Sequence, residues 1–330
     1  MPKPAKQSIS RCWKALVTTD GDQENRTAET DPRPVVSARA AECVSRELAK
    51  PLASGLYLVA TPIGNLADMT LRALAVLAKA DVIYCEDTRH SRTLLDHFGI
   101  RTRLKPYHEH NAEAERPLLL AALGRGDRIA LISDAGTPLI SDPGYKLVRD
   151  AAAAGHVVIS LPGASAVLTA LTSTGLPTDT FLFAGFLPPK QQARRSRLQE
   201  LAQVPATLIF FEAPQRASDS LIDMAEIYGR RPACLARELT KLHETISRGT
   251  LKDLAAEAAA NAKGEFVILV GPPVAGELTD NDIAEALAIA LQDLSLKDAA
   301  KAVSISLGVS KSRVYDLGLT LKAKSKQSDA

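Results

Sequence analysis

The chain has 330 residues, which is enough for two domains and more than a single hydrophobic core comfortably holds. Hydrophobic residues make up 46% of it, charged residues 24%, and the net charge is only +2, a balance typical of an ordinary globular protein. Aromatic residues at 4% argue against a module that binds single strands by extensive base stacking, and four separated cysteines argue against a disulfide framework.

Residues 1–54 mix charged residues with Thr and Pro and have no sustained period, so they are predicted to be a mostly disordered extension. A short helix is expected near the end of this extension, around Ala38 to Lys50. The segment lacks the apolar stretch of a signal peptide, and no apolar run approaches the roughly 18–20 residues that span a membrane. We therefore expect a cytoplasmic protein with no membrane partner, whose ordered part begins at Gly55.

Short apolar strands and amphipathic helices alternate through residues 55–176, which are predicted to form one α/β domain. The predicted strands are Leu56 to Ala60, Val82 to Cys85, Ile129 to Ile132 and Val157 to Leu161. The predicted helices are Leu71 to Lys79, Ser91 to Phe98, Tyr145 to Ala153 and Ser165 to Ser173. Alternation of this kind predicts a largely parallel sheet with helices on both faces.

A second α/β domain is predicted over residues 177–274. Its strands are expected at Phe181 to Phe183, Thr207 to Phe211, Cys234 to Arg237 and Phe266 to Val270. Helices are expected near Ser218 to Tyr228 and Leu251 to Ala260. The fold class is thus α/β, with two such domains.

Residues 278–326 are helical in pattern and form the last predicted domain. One helix covers Asp280 to Gln292, another starts at Leu296, and a Gly-containing turn separates it from a third that starts at Lys311. This arrangement is typical of a helix-turn-helix. Residues 297–326 hold seven Lys or Arg against two Asp. We favour RNA docking, with Lys311 and Arg313 opening the recognition helix, over a role as a protein contact.

In an open parallel sheet, ligands bind outside the carboxyl ends of the strands. Three loops at such ends are rich in Gly and Pro: Thr61 to Asn65, Ser133 to Pro138 with its continuation Ser141 to Gly144, and Pro162 to Ser165. None matches G-x-G-x-x-G or G-x-x-x-x-G-K-[ST], which disfavours a dinucleotide or triphosphate ligand. Three such loops on one sheet edge indicate a ligand pocket rather than ordinary turns.

Charged clusters also follow the predicted strands. They are Glu86 to Arg89, His108 to Asn111 after the extended segment Leu104 to Tyr107, Glu212 to Arg216 and Arg237 to Lys241. Charged residues are usually solvated surface groups, but the position of each cluster next to a strand end favours a functional role. His108 and His110 have no third potential ligand at a spacing typical of zinc sites, so no metal site is expected.

Taken together, six ordered segments resemble the tetrapyrrole methylase superfamily, and more closely the ribosomal RNA small subunit methyltransferase I family within it. The matching segments are Leu58 to Leu66, Glu86 to Arg89, Ser133 to Pro138, Leu161 to Ser165, Phe211 to Pro214 and Arg237 to Lys241. Members that act on porphyrins or corrins typically carry a G-x-G-P-G-D loop after the first strand. The loop from Thr61 to Asn65 lacks that pattern, and the corresponding loop of the ribosomal family lacks it too.

The resemblance implies S-adenosylmethionine as the cofactor and methylation of the 2′-oxygen of a decoding-site cytidine in 16S rRNA of the small ribosomal subunit. It also implies two α/β domains with the methyl donor in the cleft between them, and a homodimer is expected because relatives commonly pair. The segment from Ala184 to Pro188 is a further candidate for the donor site. The implied donor contacts are Pro62, Gly64, Asn65, Asp134, Ala135, Gly136, Thr137, Pro138, Pro162, Gly163, Ala164 and Ser165.

A ribose hydroxyl is a poor nucleophile unless a base removes its proton as the new bond forms. The candidate bases, which the sequence does not rank, are Glu86, Asp87, His108, Glu212, Glu238 and His243. The cations suited to binding RNA phosphates are Arg89, Arg216, Arg237 and Lys241. Two alternatives remain open: a methyltransferase acting on a porphyrin-like ring, and a non-catalytic RNA-binding assembly factor that retains the fold.

Overall fold

The structure, a computed structural model, describes residues 32–273, 280–292, 294–307 and 309–328. Residues 1–31 of the predicted disordered extension lie outside the described residues. Helix α1 covers Arg33–Ala49, so residues 33–37, which were also assigned to that extension, are helical instead. Pro34 lies in the first turn, where a fixed φ is tolerated, and Arg39 pairs with Glu42 one turn along at 3.1 Å.

The first sheet is five-stranded, and its strands are parallel. They are β1 (Gly55–Val59), β2 (Val82–Cys85), β3 (Leu104–Pro106), β4 (Arg128–Ile132) and β5 (Val158–Leu161). Their order across the sheet is β3-β2-β4-β1-β5, so β4, β1 and β5 are neighbours. The predicted parallel sheet is confirmed, and the carboxyl ends of these three strands lie side by side.

Helices cover both faces of this sheet. They are α2 (Leu71–Lys79), α3 (Thr88–His97), α4 (Ala112–Gly124) and α5 (Tyr145–Ala153), followed by α6 (Ala166–Thr174). Thr70 caps α2 by accepting a hydrogen bond from the Ala73 amide at 3.2 Å. Two buried apolar clusters, one around Leu77 and one around Leu119, fill the two faces.

The second sheet is mixed. Its strands are β6 (Phe181–Phe186), β7 (Thr207–Glu212), β8 (Ala233–Arg237), β9 (Thr245–Gly249) and β10 (Phe266–Val270), in the order β6-β7-β10-β8-β9. Only β6 and β7 run parallel; the other neighbours are antiparallel. Helices α7 (Gln191–Leu201), α8 (Pro214–Tyr228) and α9 (Leu251–Ala260) bury a cluster that includes Leu208, Phe210 and Ile268.

Three of these elements, α4, α7 and β9, were not predicted. Helix α4 contains Pro117 and a continuous apolar run instead of a 3.6-residue period. Helix α7 is mostly polar and buries only Arg194, Leu198 and Leu201. Strand β9 lies at the sheet edge and has no buried residue, so its alternation is weak.

The C-terminal helices are α10 (Asp280–Ala290), α11 (Leu296–Leu307) and α12 (Lys311–Ser328). Their shared core contains Ile283, Leu287, Val303 and Val314. The second and third helices start at the predicted residues. Within the described ranges, no helix combines the length and apolar character needed to span a membrane.

Candidate donor-binding and catalytic site

The three Gly- and Pro-rich loops meet at the carboxyl ends of β1, β4 and β5. Thr61 and Gly136 exchange two backbone hydrogen bonds, of 2.9 and 3.0 Å, which join the first loop to the second. The Thr137 hydroxyl donates to the Ala164 carbonyl at 3.1 Å, which joins the second loop to the third. The sequence therefore predicted correctly that these loops lie on one rim of the sheet.

A cavity of 350 Å³ opens beside this rim, between the two sheets. The first half of the molecule contributes Ile63, the loops after β4 and the start of α6 to its wall. The opposite wall comes from the ends of β6 and β7, from Leu239 and from residues 264–267. Large apolar side chains on both walls, such as Ile140 and Phe186, are exposed at this site.

Helix α6 fixes the distance between the two walls. It follows β5 in the chain, yet its buried residues Val167, Ala170 and Leu171 pack in one apolar cluster with Ile209 and Val267 of the second sheet. Arg248 of β9 donates to the carbonyls of Ser173 and Thr174 at the end of this helix. These contacts place the loops of the first sheet opposite the strands of the second.

The predicted donor contacts divide into two groups. The first group lines the cavity and consists of Asp134, Ala135, Gly136, Thr137 and Ser165. The second group lies outside the lining and consists of Pro62, Gly64, Asn65, Pro138, Pro162, Gly163 and Ala164.

Residues of the second group shape the loops. The Asn65 side chain accepts a hydrogen bond from the Ala67 amide at 3.0 Å and so caps a short turn. Gly163 lies so close to Ala60 that an added Cβ would be 2.7 Å from the Ala60 Cβ. The contacts of Asn65 and Gly163 are thus with the protein, and they support the rim on which the cavity is built.

Glu86 and Asp87, two predicted bases, follow β2 next to the rim. Asp87 caps α3, and hydrogen bonds from the side chain and backbone of Arg89 lower its pKa to about 2. Its own amide donates to Asp134 at 3.2 Å. Burial, followed by the charges of Asp134 and Asp142, raises the pKa of Glu86. A carboxyl group with a raised pKa is the better proton acceptor of the two.

His108, another predicted base, follows β3. Its amide donates to the Asn111 side chain at 2.8 Å, and its buried Nδ1 atom has no hydrogen-bond partner within the described chain. The imidazole is near enough to Glu86 to lower the pKa of that carboxyl group. It lies 6.0 Å from the His110 ring, and the described residues contain no cluster suited to a metal ion.

Glu212 lines the cavity but is only 2% exposed and is engaged by the protein. Its carboxylate accepts hydrogen bonds from the Ser220 hydroxyl at 2.6 Å and the Ala213 amide at 2.9 Å. Arg216 pairs with it at 3.1 Å and also donates to the Leu187 carbonyl. These bonds favour a role in holding the start of α8.

The segment from Arg237 to Lys241 is also tied to the protein. Glu238 accepts hydrogen bonds from Lys241 at 2.8 Å and from the Glu265 amide at 3.0 Å, and the bond from Lys241 holds its pKa below the usual value. Arg237 donates to the Lys263 carbonyl at 2.9 Å. Glu238 and Thr240 have φ values of 52° and 65°, which are strained for residues other than glycine.

The remaining predicted RNA contacts differ in their surroundings. The Arg89 side chain is 90% exposed and pairs with Asp87 at 3.0 Å. Lys311 is exposed at the first position of α12. Arg313 forms an ion pair with Asp280 at 2.9 Å, which joins α12 to α10. Of the tail cations, Lys311 is therefore better placed than Arg313 for an external phosphate.

Sequence reasoning missed several cavity residues. They are Ile140, Phe211 and residues 264–267, whereas Asp142 and Phe186 lie in the predicted segments Ser141 to Gly144 and Ala184 to Pro188. Ile140 could have been found, because it lies between the two predicted parts of the second loop. Residues 264–267 could not, because only the packing of one sheet against the other brings them to the cavity.

Known proteins resemble this chain over most of its length. Residues 55–255 match the family described as Tetrapyrrole (Corrin/Porphyrin) Methylases, and residues 277–322 match the RsmI C-terminal HTH domain. A protein of Mesorhizobium japonicum named Ribosomal RNA small subunit methyltransferase I is 52% identical over 284 residues, which cover 85% of this chain and 97% of that protein. A protein of the same name from Pseudomonas aeruginosa is 47% identical over 280 residues, covering 83% and 99%.

Among solved structures, the methyltransferase CobJ superposes with a TM-score of 0.51 at 22% identity, over 66% of this chain and 94% of that one. At this identity the likeness concerns the fold alone.

Proposed function

The chain belongs to the tetrapyrrole methylase family, in its ribosomal RNA small subunit methyltransferase I branch, and from this we propose that it uses S-adenosylmethionine to methylate 16S rRNA. The acceptor within that RNA is the 2′-oxygen of a decoding-site cytidine. The observation that carries this proposal is the cavity between the two sheets, with the three loops of β1, β4 and β5 on one side of it.

The cavity suits S-adenosylmethionine in size and chemistry. Its volume of 350 Å³ lies within the range of roughly 300–1,000 Å³ that small-molecule sites occupy. Phe186, Phe211 and Ile140 offer apolar surface to the adenine and the methyl group, while Asp134 and Thr137 offer polar atoms at the rim. Asp134, Ala135, Gly136, Thr137 and Ser165 would hold the donor, and the other predicted contacts would shape its loops.

When bound, S-adenosylmethionine supplies a methyl group that its positive sulfur makes electrophilic. The task of the protein is then to align the acceptor oxygen with that methyl group, and orientation alone can contribute about 7–11 kcal/mol. The contacts of α6 with the second sheet hold the two walls of the cavity in a fixed relative position for this alignment. A carboxylate at the cavity takes the proton that the hydroxyl releases.

The RNA is bound in part by the C-terminal helices. Lys311 of α12 and two cations of α11, Lys297 and Lys301, are exposed and provide charge for phosphate contacts. Arg89, at the start of α3 beside Asp87, provides a further phosphate contact. The active form is a homodimer in the cytoplasm, acting on the small ribosomal subunit.

Incubation of the protein with labelled donor and small subunits from a strain that lacks the activity tests this function. We expect label at one cytidine ribose of 16S rRNA, and a chelator should leave the rate unchanged. Label on a porphyrin-like substrate instead would favour the tetrapyrrole alternative. Subunit binding without any donor binding would favour a non-catalytic assembly factor.

A further inference from the structure

Four carboxylates line the cavity, and three of them are held by an ion pair or a backbone amide. Glu212 is engaged by Ser220 and Arg216, and Glu265 forms an ion pair with Lys241 at 2.9 Å. Asp134 accepts the Asp87 amide at 3.2 Å. The fourth, Asp142, interacts with the Ser133 hydroxyl, but its buried Oδ2 atom has no hydrogen-bond partner anywhere in the described chain.

An unpartnered buried carboxylate oxygen is costly and calls for an explanation, and a catalytic role or a bound ligand is one when the atom belongs to the lining of a cavity. The loop that carries Asp142 is itself strained, because Leu139 and Ser141 have φ values of 73° and 65°. Packing holds it in place: a Cβ on Gly144 would lie 3.1 Å from Leu131 and 3.4 Å from Leu139. The backbone of the loop is thus held against Leu131 on the C-terminal side of Asp142, which lines the cavity.

The environment of Asp142 suits proton acceptance. Burial raises the pKa of its carboxyl group, the Ser133 hydroxyl opposes this change, and the negative charge of Asp134 adds to it. Glu86, whose carboxyl group is also influenced by the charges of Asp134, His108 and Asp87, is close enough for Asp142 to raise its pKa in turn. Proton transfer is most effective when the pKa of the base approaches the working pH.

We propose that Asp142 is the general base that removes the proton from the acceptor hydroxyl during methyl transfer. The hydroxyl oxygen forms a bond to the methyl carbon as the carbon–sulfur bond breaks, and its proton passes to Oδ2 of Asp142. The sulfur keeps the electron pair and becomes neutral, and Asp142 later releases its proton to water. This assignment rests on the proposed function, because it requires a hydroxyl acceptor.

The substitution Asp142→Asn in the full-length protein tests the assignment, because it keeps the shape of the side chain and removes its basicity. We expect kcat on small subunits to fall by about 100-fold or more, with the Kd of S-adenosylmethionine within about threefold of the wild type. Asp96→Asn is the matched control, since Asp96 forms an exposed ion pair with Arg101. That variant should retain the wild-type rate.

An unchanged kcat for Asp142→Asn would overturn the assignment. So would an equal loss of donor affinity, because Asp142 would then bind the donor instead. If the variant does not fold, the pH profile of the wild type decides: kcat should rise with pH as a single carboxyl group ionises, and a flat profile would overturn the proposal. A wild type that methylates no hydroxyl at all would instead refute the proposed function.

Discussion

Gly64 and Lys241 lie in contact although they belong to different halves of the molecule. A Cβ on Gly64 would be 2.5 Å from the Lys241 Cγ, 2.8 Å from the Thr240 hydroxyl and 3.0 Å from the Leu239 carbonyl. The loop after β1 is thus seated on the strained segment after β8. Leu239, whose carbonyl is one of these contacts, lines the cavity, so the packing at Gly64 positions part of the cavity wall.

Substitution of this glycine should disturb both stability and donor binding. Gly64→Ala is expected to lower the free energy of unfolding by about 1–3 kcal/mol, because the Leu239 carbonyl cannot move aside without shifting the segment. Donor affinity should fall as well, and both effects can be measured by thermal unfolding with and without S-adenosylmethionine. Gly124→Ala is the control, since nothing lies within 4 Å of its Cβ position. Equal behaviour of the two variants would contradict the prediction.

The Glu212 carboxylate should matter for folding more than for proton transfer. Glu212→Gln is expected to cost about 1–3 kcal/mol of stability, because it weakens the buried bonds to Ser220 and Arg216. Denaturant unfolding measures this loss. Glu200→Gln, which removes an exposed pair with Arg197, should cost less than about 1 kcal/mol. A full loss of kcat with unchanged stability would instead make Glu212 the base.

Substitution of Asp134 should shift the acidic limb of the pH–rate profile, which is the pH range where kcat rises as the base ionises. Its negative charge raises the pKa of both Asp142 and Glu86, so Asp134→Asn should lower the pKa of each. A base with a lower pKa is ionised at lower pH, and the limb should therefore move toward acid. The measurement is kcat against pH at saturating donor. A limb that stays in place, or moves toward alkali, would argue that neither carboxyl group is the base.

The C-terminal helices should contribute to RNA binding and not to donor binding. Truncation after Pro273 is expected to weaken binding to small subunits at least tenfold at low salt, because several phosphate contacts are lost. The Kd of the donor should stay within about threefold, since the cavity residues all precede the cut. Equal losses in both measurements would point to a structural role for the tail.

Two charge-reversal variants distinguish RNA docking through α12 from attraction by the net positive charge of the tail. Lys311→Glu changes the first residue of α12, whereas Lys301→Glu changes an exposed residue of α11. If α12 is the recognition helix, subunit binding should weaken more for Lys311→Glu. Identical losses would mean that only the net charge of the tail matters. In that case, subunit binding by the two variants should also have the same salt dependence.

The sequence predicted the rim of the site better than its walls. The loops after β1, β4 and β5 could be assigned to one edge because parallel strands end on the same side of a sheet. Arg216, Arg237 and Lys241 were predicted to bind RNA, yet their partners are Glu212, the Lys263 carbonyl and Glu238. That prediction stays untested, but a residue-type argument could not have anticipated contacts set by the packing of distant strands.

The connecting helix α6 has a consequence for how the cofactor enters and leaves. Val167 and Leu171 are buried against the second sheet, and exposing each would cost about 1.5–3 kcal/mol. A hinge motion that pulled the two sheets apart would have to expose them together. We therefore expect exchange to proceed through local movement of the exposed edge around Ile140 and Phe186, with the body of the enzyme remaining closed throughout the cycle.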